Sequence, residues 1–313
     1  MPSISTDQLN HRRSNACRSL STATGMPTFR TSLNATRRRH GFSLLELIFV
    51  AGVVCVLVTL LLPAVQQARE AARRTQCKSR VAQLNIAISS YHDAHTMFPP
   101  GCVNETGPIV SKPEGLHTSW LVQILPMMDQ KNIAIRHTPE VSVYDERHAE
   151  IRAHSIPSFL CPTDIHPEVT NNVAASNYAG VTGGWDVMID SDNKGMFFLN
   201  SSVEATDIID GSSNQIAIAE HQRIDIPSKV DLGWMSGTSA TLRNGGTAIN
   251  YNASPITASP AKWETTGGFS SSHTGGAQVG LADGSVRFIS ENIDIIVLQQ
   301  LCDIQDGFDT PEF

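Results

Sequence analysis

The stretch "RRRHGFSLLELIFVAGVVCVLVTLLLPAV", residues 37–65, decides how the rest of this chain can fold. From Phe42 to Val65 the only charged side chain is Glu46. A helix of these residues would be about 36 Å long, enough to cross a hydrocarbon core of about 30 Å with some tilt. The sequence therefore predicts a single transmembrane helix over residues 42–65, with one carboxylate near its start.

Glu46 is the unusual residue of this segment. Ser43-Leu-Leu-Glu46 fits a capping box, in which the glutamate satisfies backbone donors at a helix start. An ordinary signal anchor and a secretory signal peptide are two further interpretations. The apolar run 47–62 is longer than the roughly 7–15 residues of a signal peptide, and "PAVQQAREA" after it offers only a weak cleavage site. An ionisable residue inside a membrane segment favours a functional role instead.

The residues "GFSLLE", Gly41 to Glu46, resemble the processing site of type IV prepilins and type II secretion pseudopilins. In those families a prepilin peptidase/N-methyltransferase cuts after the glycine and methylates the new N-terminal residue. The resemblance implies cleavage after Gly41 and methylation of Phe42. It also implies that Glu46 guides docking onto like or related pseudopilin subunits through their N-terminal helices.

The charge distribution predicts the orientation in the membrane. Residues 1–41 contain seven arginines and one aspartate, whereas the rest of the chain has 16 basic and 29 acidic side chains. Basic residues ahead of a span keep that end cytoplasmic. We therefore expect a cleaved basic leader (1–41, with Met26 as a second possible start) and a single pass through the inner membrane. The C-terminal domain would be periplasmic or part of a surface filament, and its acidic character argues against nucleic-acid binding.

Residues 66–98 are predicted to continue the helix as an amphipathic segment. Their apolar side chains follow 4-3-4-3 spacing, which places them on one helical stripe. These side chains are Cys77, Val81, Leu84, Ile88 and Tyr91. Pro99-Pro100-Gly101 then ends the helix.

Residues 99–313 are predicted to form an extracytoplasmic globular domain. Residues 119–130 predict a short helix broken near Pro126, and 292–303 predict a terminal helix. Alternation around Asp283-Gly284 predicts a hairpin over 277–290. Further strands are predicted at 195–199, 215–220 and 232–235. The polar insert 240–262 predicts irregular structure. One long helix followed by strands indicates an α+β fold of the pilin-like type, with the helix packed on a largely antiparallel sheet.

A second resemblance covers most of the chain after Gly41. The segments "AREAARRTQC", "AISSYHDAHTMFPPG", "FLCPTD", "SNYAG" and "FSSSHTGGAQVGLADGSVRFI" resemble, in this order, a planctomycete-type prepilin-like family, domain of unknown function 1559. The last segment carries the family's His-X9-Asp-Gly signature as His273, Asp283 and Gly284. The resemblance implies secretion or surface-filament architecture and no particular biochemical activity.

Four cysteines, Cys77, Cys102, Cys161 and Cys302, would face an oxidising compartment, where disulfides persist. Four cysteines permit three pairings, and reduced cysteines packed as small hydrophobes are an equal alternative. Cys77 and Cys161 both lie in family landmarks, so the resemblance favours that pair.

The sequence contains no H-E-x-x-H, C-x-x-C, P-loop or G-x-S-x-G motif. We therefore predict that the protein is not an enzyme and has no catalytic, cofactor or metal residues. His273 is expected to fold back beside the hairpin tip and hydrogen-bond Asp283. The rival hypothesis is a metal site with a third ligand from His221 or Glu220.

Two functional hypotheses remain open. The first is a structural subunit of a pseudopilus or related filament. The second is a membrane-anchored binding module that does not polymerise and uses the prepilin start only for sorting.

Overall fold

A computed structural model of the chain describes residues 41–223, 231–251, 267–305 and 307. Residues 1–40 of the predicted leader, with Met26, lie outside the described residues, as does the part of the polar insert after 251. The chain divides into two compact units between Leu57 and Val58.

The first unit contains the beginning of helix α1, Leu44–His95. Every residue from Phe42 to Leu57 is exposed. Over its most apolar 18-residue window, α1 has a mean hydropathy of 2.8 with no residue of that window buried. By length and composition α1 can cross a membrane, as the sequence predicts.

In the second unit the same helix becomes a core element. Its buried residues include Cys77, Val81, Leu84 and Ile88, and Tyr91 packs against the same core. The predicted apolar stripe is thus confirmed. The helix ends at His95, and Thr96 follows with a left-handed φ of 63°.

The second unit has a central five-stranded sheet. Nine strands are described in total: β1 Cys102–Val103, β2 Thr118–Ser119, β3 Val169–Thr170, β4 Val173–Ala174, β5 Tyr178–Val181, β6 Ile216–Glu220, β7 Leu242–Arg243, β8 Gly276–Leu281 and β9 Val286–Ser290. The strand order is β7-β5-β6-β8-β9, and only the β5–β7 pair is parallel. The two-stranded sheets β1-β2 and β3-β4 are antiparallel. The predicted α+β fold is confirmed.

Four short α-helices are also described, α2 Trp120–Ile124, α3 Lys131–Ala134, α4 Ala149–Arg152 and α5 Ile295–Gln300, together with four 3-10 turns. The predicted helix at 119–130 is present, and it changes to a 3-10 turn at Leu125–Met128, which contains Pro126. The predicted terminal helix corresponds to α5.

Helices α1 and α5 belong to the apolar clusters on opposite faces of the sheet. Val279 on β8 packs in the cluster that contains Leu298 of α5. On the α1 side, Gly280 leaves room for Asn85, whose Nδ2 donates to the carbonyls of Leu281 (3.4 Å) and Ser285 (3.2 Å). This packing fixes where α1 meets the hairpin.

Two strand predictions were wrong. Residues 195–199 form bends with one isolated bridge from Leu199 to Cys102, although Phe197 is fully buried. Residues 232–235 form a turn in which Gly233 has a left-handed φ of 80°. In both segments the apolar side chains are buried by tertiary packing, which gives the same hydrophobic pattern as a strand.

Candidate functional site

The signature hairpin has the expected turn chemistry at its tip. β8 and β9 pair from Gly276↔Ser290 to Gly280↔Val286. Gly284, with a φ of 88°, donates its N–H to the Leu281 carbonyl at 3.0 Å. The Asp283 carboxylate accepts the N–H of Ser285 at 2.8 Å. Asp283 and Gly284 therefore stabilise the turn locally.

The predicted contact between His273 and Asp283 was wrong. The six residues of β8 separate them, and an extended strand of that length spans about 20 Å. His273 lies at the opposite end of β8 from the hairpin tip. Its carboxylate partner is Glu70, which α1 brings to this end of the sheet.

At that end of the sheet, four potential metal ligands from four segments converge: Cys77, Cys161, Glu220 and His273, here named the Cys–His–Glu cluster. Their ligand atoms all lie within 4.8 Å of one another, and all four residues are buried. Cys77 comes from α1, Glu220 ends β6, His273 precedes β8, and Cys161 follows a 3-10 turn at Pro157–Phe159.

Cys77 and Cys161 form a disulfide in the structure, with their Cα atoms 5.3 Å apart. The family resemblance had favoured this pair. The loop that carries Cys161 is held by Asn177, whose Oδ1 accepts the Cys161 N–H at 2.9 Å. The Nδ2 of Asn177 in turn donates to Asp164 in the same loop. The disulfide ties α1 to this loop across 84 positions of sequence.

Each ring nitrogen of His273 faces a carboxylate oxygen or a cysteine sulfur. Nδ1 lies 3.0 Å from Oε1 of Glu70, and Nε2 lies 3.5 Å from Sγ of Cys161. Nε2 is also 3.7 Å from Oε1 of Glu220. Because a carboxylate only accepts, Nδ1 donates its proton to Glu70, and Nε2 faces Cys161 and Glu220.

Glu220 is buried, and within the described residues only one of its two carboxylate oxygens accepts hydrogen bonds. Its Oε2 accepts the Ser271 hydroxyl at 2.8 Å and the Gln278 N–H at 2.9 Å. Among the described residues, Oε1 has no hydrogen-bond partner. Burial raises the pKa of Glu220, and the Gln278 N–H and the nearby His273 partly offset that effect. The carboxylate is thus oriented with its free oxygen toward the cluster.

Glu70 supports the cluster from the partly exposed side of α1. Partial burial raises the pKa of Glu70, but hydrogen bonds from His273 and Arg73 outweigh it, so the net pKa is lowered. Arg73 Nε donates to Oε2 of Glu70 at 2.8 Å, one turn along the helix. Glu70 is therefore an ionised acceptor that orients the His273 ring.

Sequence reasoning missed Glu70 and named Glu220 only as one possible third ligand. The signal for Glu70 was its place in "AREAARR", a landmark segment in which it is the only acidic residue. His221, the other possible ligand, is outside the described cluster. Its burial, together with the charge of Arg243, holds the pKa of His221 well below its usual range.

The predicted processing residues lie in the first compact unit. Gly41 lies before the first helical residue, Leu44, and apart from its chain neighbours no atom of the described residues lies within 4 Å of the position that a Cβ would take there. The side chain of Phe42 is 84% exposed. Glu46 lies in the first turn of α1 and is exposed. Within the residues that the structure describes, no hydrogen bond from the Ser43 N–H to the Glu46 carboxylate closes a capping box.

The comparison with protein families matches residues 66–295 to the family described as Protein of unknown function (DUF1559). The match covers most of the chain and includes Glu70 and the whole Cys–His–Glu cluster. The chain therefore belongs to this family. No curated protein and no solved structure matches the chain.

Proposed function

We propose that this chain is a prepilin-like structural subunit of a type II secretion or related surface filament. In this proposal a prepilin peptidase cuts after Gly41, Phe42 is N-methylated, and residues 42–65 hold the subunit in the inner membrane. Its partners are like or related pseudopilin subunits, and its role is structural rather than catalytic.

The observation that carries the proposal is the fully exposed apolar start of α1. From Leu44 to Leu62 nearly all side chains are apolar, and none is buried in the protein itself. An apolar surface of this extent needs lipid or other helices to cover it. A filament subunit uses both, first in the membrane and then in the packed bundle of N-terminal helices.

Glu46 supports assembly rather than simple anchoring. A carboxylate in a membrane segment is costly, by roughly 2.5–3.5 kcal/mol at mid-membrane. Cleavage after Gly41 would create a new amine at Phe42. The amine of one subunit can pair with Glu46 of its neighbour, so that each charge is neutralised in the apolar bundle.

The surroundings of Gly41 suit a peptidase. α1 begins only at Leu44, so residues 41–43 are not helical. A substrate segment outside regular structure needs no unfolding before cleavage.

N-terminal sequencing of the membrane fraction and of sheared surface material tests processing. We expect a mature chain that begins at methylated Phe42 in both fractions. A mature chain that begins at any other residue contradicts the assignment.

Glu46→Gln tests assembly, with Glu105→Gln as a matched control at another exposed carboxylate. We expect Glu46→Gln to be cleaved and inserted normally but to lose cross-linked oligomers and sheared material. Glu105→Gln should behave like the unaltered chain. Normal assembly of Glu46→Gln would contradict the pairing of Glu46 with the Phe42 amine of a neighbour.

One observation favours the second function, a membrane-anchored binding module. A cleft of about 360 Å³ lies between residues 182–194 and Pro108. It is lined by the exposed ring of Trp185 and by Asp190, Asp192 and Lys194. This volume is in the range of small-ligand sites. A processed chain that never enters sheared material, in wild-type cells, would support this function.

A further inference from the structure

We propose that, when its disulfide is reduced, the Cys–His–Glu cluster is a four-ligand site for a thiophilic divalent cation, with Zn²⁺ as the best match. The ligands would be the two sulfurs of Cys77 and Cys161, Nε2 of His273 and Oε1 of Glu220. This site is independent of the filament role proposed above.

The distances between the ligand atoms fit the proposal. Zinc binds sulfur at about 2.3 Å and nitrogen or oxygen at about 2.0–2.2 Å, so ligand atoms around a tetrahedral ion are roughly 3.3–3.8 Å apart. Nε2 of His273 is already 3.5 Å from Sγ of Cys161 and 3.7 Å from Oε1 of Glu220. The two sulfurs, now covalently joined, have to separate, and all four ligand atoms already lie within 4.8 Å of one another.

The free oxygen of Glu220 is an independent indication of a cation. A buried carboxylate oxygen without a donor loses its hydration and receives no hydrogen bond in return. Oε2 is held by Ser271 and Gln278, so the carboxylate is oriented and Oε1 is left facing the sulfurs and His273. A bound cation would satisfy that oxygen.

The environment of His273 is that of a metal ligand. In metal sites, the second ring nitrogen of a ligating histidine usually donates to a carboxylate, which fixes the tautomer and the ring orientation. Glu70 accepts from Nδ1 of His273 at 3.0 Å and is itself held by Arg73. Glu70 is therefore a positioning residue, while His273 supplies the lone pair.

The net charge of the ligands and the small cavity beside the cluster also fit a bound cation. Two thiolates, one carboxylate and Zn²⁺ leave a net charge of −1, and the positive charge of Arg74 acts on Glu220 from α1. A cavity of about 10 Å³ beside the cluster is lined in part by Cys161, Glu220 and Ser271. That room is about what one water molecule or small ion requires.

The disulfide and the metal site exclude each other because thiolates are the ligands. A dithiol reductant supplies two electrons and two protons, breaks the Cys77–Cys161 bond to give two thiols, and itself becomes a disulfide. Zn²⁺ then displaces the two thiol protons to solvent. The same residues thus have an oxidised form without metal and a reduced form that binds it.

Cobalt binding to the full chain in detergent tests the site. The chain is reduced with a dithiol, freed of the dithiol by desalting without oxygen, and titrated with Co²⁺. We expect one Co²⁺ per chain, with the absorption of tetrahedral cobalt and a sulfur-to-cobalt charge-transfer band, both lost when Zn²⁺ is added. The oxidised chain should show neither band.

The variants separate the site from other thiols. The double variant Cys77→Ser, Cys161→Ser keeps every other cysteine and should lose the charge-transfer band. Glu220→Gln and His273→Ala should each weaken Co²⁺ binding at least tenfold. Glu70→Gln should weaken it by roughly 10–100-fold without changing the number of sulfur ligands. Cys302→Ser, at a buried thiol outside the cluster, should bind like the unaltered chain.

Thermal unfolding measured with Zn²⁺ present tests the site even if reduction alone unfolds the chain. Zn²⁺ present during reduction should restore the cooperative transition and raise the melting temperature, whereas Mg²⁺ should not. A reduced chain that binds no Co²⁺, or that Zn²⁺ does not stabilise, overturns the proposal. Binding that survives unchanged in Glu220→Gln and His273→Ala overturns it as well.

Discussion

The two ends of helix α1 carry similar apolar side chains in opposite surroundings. From Leu44 to Leu57 the leucines, valines and isoleucines are exposed, whereas Val81, Leu84 and Ile88 are buried. The first segment is apolar on every side, and the second only on one stripe. Overall hydropathy therefore predicts a membrane segment, while 4-3-4-3 periodicity predicts a core segment within the same helix. Substitutions at matched positions in the two segments test this difference in environment.

The largest effect is expected for a charge placed in the buried segment. Leu84 is fully buried, so Leu84→Asp would bury a carboxylate with no partner. We expect a loss above about 4 kcal/mol, enough to abolish cooperative unfolding of the detergent-solubilised chain. Near-ultraviolet circular dichroism during heating measures this loss.

Leu57→Asp is the matched control in the exposed segment. It should leave the unfolding transition unchanged and weaken membrane insertion instead, which alkaline extraction of membranes detects. Equal melting curves for Leu84→Asp and the unaltered chain would contradict the division of α1 into two environments.

Two cysteines of α1 provide the next test. Cys77 is in the disulfide and Cys55 is exposed. Replacing Cys77 and Cys161 together by serine should cost about 2–5 kcal/mol in urea unfolding, because the unfolded chain is no longer cross-linked. Cys55→Ser should cost nothing measurable. A large loss in Cys55→Ser would show that the first segment also contributes to the folded domain.

Two glycines provide a smaller contrast. A Cβ at Gly280 would lie 2.5 Å from Oδ1 of Asn85, whereas one at Gly52 would meet no atom within 4 Å. We expect Gly280→Ala to cost about 1–3 kcal/mol of unfolding free energy, and Gly52→Ala to cost none. Adding Asn85→Ala to Gly280→Ala should reduce the penalty, and a purely additive double variant would exclude this contact as the cause.

The smallest effect concerns pH. Burial lowers the pKa of His117 from 6.5 to about 4, and the charge of Glu114 opposes this only partly. Because the folded pKa is below the unfolded one, the contribution of neutral His117 is complete above pH 6.5 and is lost as the pH falls toward 4.

Urea unfolding of the unaltered chain between pH 7 and pH 4 should show this loss. His117→Asn should have a flatter dependence, and asparagine tolerates the left-handed φ of 48° at this position. An identical pH dependence in His117→Asn would show that other groups, such as the half-buried His137, account for it.

Much of the fold could be predicted because its signals are local. The stripe from Cys77 to Tyr91, the hairpin around Asp283-Gly284 and the break at Pro126 all depend on residues a few positions apart. The strands predicted at 195–199 and 232–235 failed because an apolar run shows that side chains are buried, not that the backbone is extended. Gly233, with its left-handed φ, interrupts the second of these runs.

The sequence alone determined that this chain has a membrane-length helix, an amphipathic continuation and a strand-rich domain, because composition and periodicity record the environment of each residue. The contacts of His273, in contrast, depend on the tertiary structure. Glu70 is 203 positions away from it along the chain, and Cys161 is 112 away. No pattern of residues adjacent in the sequence predicts these contacts of His273. It arises because α1 packs against the sheet in the one register that places Asn85 over Gly280, and this register carries Glu70 and Cys77 to the end of β8.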